Sequence, residues 1–161
     1  MTGLLEPAEW YASLATMYGT AAALFFSPTG EMLIVKPNYR PWWGLPGGVL
    51  EDGEAPQAGC AREVLEEIGL DVALGPLLAV EWLAPAGERP RPLVAFVFDG
   101  GVLPADPPIV LQESELDDWR FVPVGSLADY LPAHMAERVQ AAVRARENGS
   151  GVIYLESGPG R

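Results

Sequence analysis

The chain has 161 residues, enough for one domain with a sizeable core and too few for a second domain of ordinary size. Apolar residues make up 49% and charged residues 20%, the balance of a globular protein and not of a disordered one. Lysine and arginine number 10 against 22 acidic residues, a net charge of −12. That balance excludes the basic footprint that duplex nucleic acid or an anionic membrane surface requires, so an anionic substrate must meet a local positive site or bound metal.

The opening residues carry Glu6 and Glu9 and no basic stretch, which argues against a secretory leader. A short helix is expected from Glu6 to Met17. The apolar run Thr20 to Phe26 is too short to span a bilayer and reads as a strand. It ends at the turn signal Ser27-Pro28-Thr29-Gly30, and Met32 to Lys36 follows as the second arm of a hairpin. Pro37 to Pro41 reads as a loop, and Trp42 to Leu45 as a further short strand.

Glu54 to Gly69 reads as a helix, with Pro56 in its first turn and Gly69 at its stop. Ala58, Ala61, Val64, Leu65 and Ile68 fall at spacings of three and four, which predicts one apolar face. Val72 to Ala84 and Leu93 to Phe98 read as strands around a proline-rich turn, and Asp99 to Pro108 as a loop. Trp119 to Val122 is the end of a strand, Pro132 to Glu147 a second long helix, and Val152 to Glu156 an edge strand. The expected fold is an α/β/α sandwich with a mixed sheet: residues 1–157 in one domain and a flexible tail from Gly158 to Arg161. One cysteine, Cys60, permits no intrachain disulfide and fits a reducing, cytoplasmic location.

The densest charge cluster is Glu63, Glu66 and Glu67. On a helix these positions share a face, and like charges so placed repel by a few tenths of a kcal/mol per pair. They also lie near the helix C-terminus, where the dipole disfavours anions. The arrangement is unfavourable unless cations occupy it. Oxygen ligands at this density suit Mg²⁺ or Mn²⁺ better than zinc.

Around the cluster, Gly48, Glu54, Arg62, Glu63, Val64, Glu66, Glu67, Gly69 and Leu70 spell G-x5-E-x7-R-E-U-x-E-E-x-G-U, where U is a bulky aliphatic residue. This resembles the signature of the Nudix hydrolases, and Leu45-Pro46-Gly47 resembles their usual lead-in. The resemblance implies a Nudix-type sandwich. It also implies hydrolysis of a diphosphate bond in a nucleoside diphosphate linked to another group, with Mg²⁺ or Mn²⁺ as cofactor. Glu63 and Glu67 match positions that ligate metal, Glu66 one that ligates metal or acts as base, and the Gly47 carbonyl a further ligand. Arg62 matches an arginine that orients a catalytic carboxylate, and Glu54 its partner. A distant loop supplies the base in some members; here Glu115 ranks after Glu66, with Glu113, Asp117 and Asp118 behind.

Substrate contacts are expected from Tyr39, Arg40, Trp42 and Trp43, just before the glycine pair. Strand alternation places one of the two tryptophans in the core and leaves the other free to stack on a base. Trp82, Arg89 and Arg91 rank second; His134 and Cys60 read as surface and packing residues. Gly59 has no functional explanation beyond close packing. The alternative function is a catalytically silent nucleotide-binding protein of the same fold. A relative of the isoprenoid-diphosphate isomerases departs from the full signature. The family resemblance leaves a homodimer open.

Overall fold

The computed structural model describes residues 5–158. In chain order the elements are α1 (Pro7–Ala12), β1 (Tyr18–Phe26), β2 (Met32–Pro37), β3 (Gly47–Val49), α2 (Pro56–Ile68), β4 (Leu77–Leu83), β5 (Leu93–Val102), β6 (Leu116–Val122), α3 (Ala133–Asn148) and β7 (Ile153–Ser157). A 3-10 turn over Val124–Asp129 leads into α3. The strands form one mixed sheet in the order β6-β2-β1-β5-β4-β7, with β3 paired to the other half of the β1 edge that β2 uses. The β1–β5 and β4–β7 pairs are parallel and the others antiparallel.

Central β1 explains the continuous apolar run. Leu24 and Phe26 face one side and Ala21, Ala23 and Phe25 the other, and both sides are covered. On the first side α3 lays down Ala136, Val139, Ala142 and Val143. On the second, α2 lays down Cys60, Val64 and Ile68. Val64 and Ile68 are fully buried, each contributing about 1.5–3 kcal/mol.

Several expectations are corrected. The first helix stops at Ala12, where the Ser13 hydroxyl donates to the Trp10 carbonyl at 2.6 Å. None of its residues is buried, so no packing extends it. Trp42 to Leu45 makes only an isolated bridge, Val35 to Gly44. The ladder begins at Gly47, beyond Pro46, which has no N–H to give. Likewise β4 starts after Pro76, leaving Val72 to Pro76 outside the sheet.

Strand β5 continues past Phe98 because its parallel partner β1 runs on to Phe26. A register shift lets Phe25 pair with Gly101. Strand β6 begins at Leu116 because β2 offers partners as far as Pro37. The buried face of α2 is Gly59, Cys60, Val64, Glu67 and Ile68, while Ala58 and Leu65 are exposed. The stripe is rotated toward Glu67, so a carboxylate takes a core-facing position. The expected flexible tail lies, from Pro159 on, outside the described residues. Among the described residues no helix is long and apolar enough to cross a membrane.

Candidate functional site

Arg62 organises the carboxylates of α2. Its Nε and Nη2 donate to the two oxygens of Glu54 at 2.9 and 3.0 Å, a two-pronged contact lysine cannot make. Its Nη1 reaches Glu63 at 2.9 Å and Glu66 at 3.1 Å, and Nη2 also reaches the Val49 carbonyl at 3.2 Å. The Arg62 hydrogen bonds and the Glu51 N–H hold the Glu54 carboxyl down at about 2. Gly59 is what admits this geometry: a methyl there would lie 2.5 Å from Leu50 and 2.6 Å from the Glu54 carboxylate.

Glu67 is in a different condition. Its side chain lies almost wholly buried, and its Oε2 accepts from the Gly47 N–H at 2.8 Å. Burial pushes its carboxyl up to about 7, with Glu63 and Glu115 adding repulsion. Burial also raises the Glu63 carboxyl, against the pull of Arg62. Cys60 lies beneath them, its thiol pushed up to about 12 by burial and by these carboxylates, so it packs as a neutral group.

Glu115 comes to this cluster from the far side of the chain. The segment before β6 is stitched to the end of α2 by Val110 N–H to the Ile68 carbonyl (3.0 Å) and Gln112 N–H to the Glu67 carbonyl (2.9 Å). Asn38 N–H holds the Glu115 carbonyl at 2.9 Å. Glu113 and Asp117 point to solvent, and Asp118 pairs with Arg120 at 2.7 Å.

Strand β3 is the wall between this cluster and a cleft of about 210 Å³. A methyl on Gly48 would lie 2.5 Å from the Glu63 carboxylate. Gly47, at φ 140°, holds a backbone that favours glycine. The cleft is lined by both glycines, Leu45, Phe96 and Val97, with Tyr39 and Arg40 on one side and Met135 and Arg138 on the other. Arg40 Nε is sealed from solvent without a hydrogen-bond partner. The Arg40 charge also reaches Glu67 and lowers its carboxyl slightly.

Tyr39 and Arg40 line the cleft, and the tryptophans divide as strand alternation predicts, one against the core and one exposed. Trp42 is 44% exposed and is not part of the cleft lining. Trp43 is the one that packs against the core, with Arg120 over its ring at 4.2 Å and Tyr130 edge-on at 6.0 Å, and so leaves the set of substrate candidates. Arg89 closes its own turn on the carbonyls of Leu83, Ala84 and Arg91. Met135 and Arg138 went unread in the sequence, although both fall on the apolar stripe of α3 with Val139 and Ala142.

The donor set fits a hard divalent cation. Three glutamates share one arginine, a fourth, Glu67, lies beside them with no ion pair among the described residues, all the side-chain donors are oxygens, and burial raises the Glu67 carboxyl to about 7. Among the described residues no three acidic, histidine or cysteine side chains already converge in ligating geometry. Glu63 and Glu66 are instead drawn to Arg62, so an ion competes with the guanidinium for them.

The comparisons with known proteins agree with this geometry. A MutT-like protein of Streptomyces ambofaciens is 37% identical over 87 residues, 52% of this chain and 53% of that one. A putative 8-oxo-dGTP diphosphatase of Bacillus subtilis is 35% identical over 86 residues, 53% of this chain and 57% of that one. The chain thus spans little more than half the length of these curated relatives. The crystal structure of a MutT protein from Methanosarcina mazei Go1 superposes with a TM-score of 0.70 at 26% identity, covering 84% of this chain and 99% of that one. The family model described as NUDIX domain matches residues 17–144, from the start of β1 to late α3. With that match enclosing the carboxylate helix, the glycine wall and the cleft, the chain belongs to the Nudix family.

Proposed function

We propose that the protein hydrolyses a diphosphate bond in a nucleoside diphosphate linked to another group, with Mg²⁺ or Mn²⁺ bound by Glu63, Glu66, Glu67 and the Gly47 carbonyl. The observation that carries this reading is the pairing of a carboxylate surplus with a nucleoside-sized cleft across the two-glycine wall. A substrate lying over Gly47 and Gly48 places one end in the cleft and its phosphates at the glutamates. The names of the relatives, a diphosphatase among them, point the same way.

When bound, the cation neutralises phosphate charge and lowers the pKa of a coordinated water. The protein's own groups do the rest. Arg62, fixed by Glu54, holds Glu63 and Glu66 in place. The Gly47 N–H orients Glu67. Arg40, which lines the cleft, supplies the positive charge that meets a phosphate oxygen. Glu66 and Glu115 are the two carboxylates placed to take a proton. They are separated by the pH profiles of E66Q and E115Q: loss of the base removes the acidic limb, and loss of a ligand shifts metal dependence instead.

The test is a phosphate-release screen with Mg²⁺ or Mn²⁺ over nucleoside triphosphates, ADP-ribose, nucleotide sugars and dinucleoside polyphosphates, with products identified by mass spectrometry. Turnover of one class that disappears in Glu67→Gln supports the reading. Silence on every class, with metal binding shown independently, supports the nucleotide-binding alternative.

A further inference from the structure

The cleft carries a second charged group that diphosphate hydrolysis does not need. Arg138 of α3 and Glu81 of β4 form an ion pair at 3.0 Å, with the two residues 8% and 2% exposed. Ser157 of β7 donates its hydroxyl to the other oxygen of Glu81. Two charges withdrawn from water this far gain little net stability over apolar residues of similar size, so stability alone does not account for the pair.

Its geometry is also one-sided. The Arg138 contact with Glu81 runs through Nη1 alone. The sealed side-chain polar atoms without a partner are Arg40 Nε and Glu81 Oε2, and no Arg138 nitrogen is among them. Arg138 lines the cleft, and its Nε and Nη2 have no hydrogen-bond partner among the described residues. Glu81, itself bonded to Ser157, therefore anchors by an ion pair a planar donor fork on a residue that lines the cleft with Phe96 and Met135.

We propose that Arg138 is a specificity-determining residue that reads the nucleobase, selecting a base edge with two adjacent acceptors and rejecting one that pairs an acceptor with a donor. Guanine and hypoxanthine present O6 and N7 side by side to such a fork. Adenine presents N7 beside an N6 amino group, which would face the guanidinium donor to donor. Glu81 and Ser157 are positioning residues that act through Arg138. The inference rests on reading the cleft as the nucleoside site.

The experiment measures equilibrium binding of GMP, IMP and AMP to the full chain by titration calorimetry, so that no turnover is needed. The expected result is GMP and IMP binding about tenfold or more tighter than AMP. Arg138→Gln, whose amide offers a donor and an acceptor side by side, should collapse or invert that ratio, which a merely structural role would not do. Should this variant fail to fold, the double variant Arg138→Met with Glu81→Met removes both charges and should bring the ratio to about one. A wild-type ratio near one, absence of GMP and IMP binding, or a ratio unmoved in a folded variant overturns the proposal. A protein that discriminates the bases yet cleaves no diphosphate sinks the proposed function and leaves this inference standing. A working hydrolase with no base preference does the reverse.

Discussion

The molecule holds two charged clusters, each built on one arginine, and they differ in what surrounds it. Arg62 serves Glu54, Glu63 and Glu66, with Glu67 close by, at an edge where the first three keep partial access to water. Arg138 serves Glu81 alone, nearly buried at the wall of the cleft. The first cluster is short of positive charge. Glu54 is held far below the carboxylate range by Arg62, while the innermost glutamate, Glu67, rises to about 7 because burial withdraws it from solvent. The second cluster is balanced and needs no added ion. A surplus of buried carboxylate thus marks where a cation is wanted, and a matched pair marks where geometry is being held.

The sharpest way to break this contrast is to unbalance the matched pair. Arg138→Met alone should destabilise the protein by about 3–5 kcal/mol, because Glu81 is left buried without a counter-charge. The double variant with Glu81→Met should recover most of that loss, and denaturant unfolding of the single and double variants measures both. Full additivity of the two losses would show that the pair does not act as a unit.

Next in size is Glu67→Gln. It should lower turnover about a hundredfold or more by removing a metal ligand, while leaving the circular dichroism unchanged. In the absence of metal the same variant should be more stable than the wild type at neutral pH, since it removes a buried charge.

The pH dependence follows with its sign. The Glu67 carboxyl lies near 7 in the folded chain against an ordinary 4.5, so the folded state holds the extra proton. Its contribution is complete below about pH 4.5 and is lost as pH rises through about 7, up to roughly 3 kcal/mol. Glu54 works oppositely: its contribution is present above about pH 4.5 and is lost as pH falls through about 2. Metal-free wild type should therefore lose stability between pH 5 and 7.5 in thermal melts, and Glu67→Gln should flatten that slope. Mg²⁺ at about a hundred times its Kd should restore about 2.7 kcal/mol at neutral pH. A flat metal-free profile would remove the evidence for an unmet charge.

The smallest expected effect is Gly59→Ala. Alanine is the better helix former by about 1 kcal/mol, yet its methyl meets Leu50 and the Glu54 carboxylate at 2.5 and 2.6 Å. A net loss of about 1 kcal/mol with reduced turnover would show that the Arg62 cluster depends on this close approach; a gain in stability would show that Glu54 has room to give.

Much of this was legible in the residues. The spacing of Arg62, Glu63, Glu66 and Glu67 settles which side chains share a helix face, because helical geometry is local. The continuous apolar run from Thr20 to Phe26 reads as a strand, and its central place in the sheet comes from the structure. What escaped was set at longer range. Where β3 and β4 start depends on proline positions and on partners far along the chain. The fate of Trp43 depends on Arg120 and Tyr130, more than seventy residues away in sequence.

By itself, then, the sequence determined the carboxylate helix, its arginine clamp and the family that owns them, all of which lie within one short stretch of chain. Only the tertiary structure decided that Glu67 is the buried glutamate of α2, that Glu115 is brought to it, and that Arg138, paired with Glu81, lines a cleft across a wall of two glycines. Those facts depend on which faces of α2 and α3 meet the sheet, and that is fixed by the packing of the whole core rather than by any local pattern.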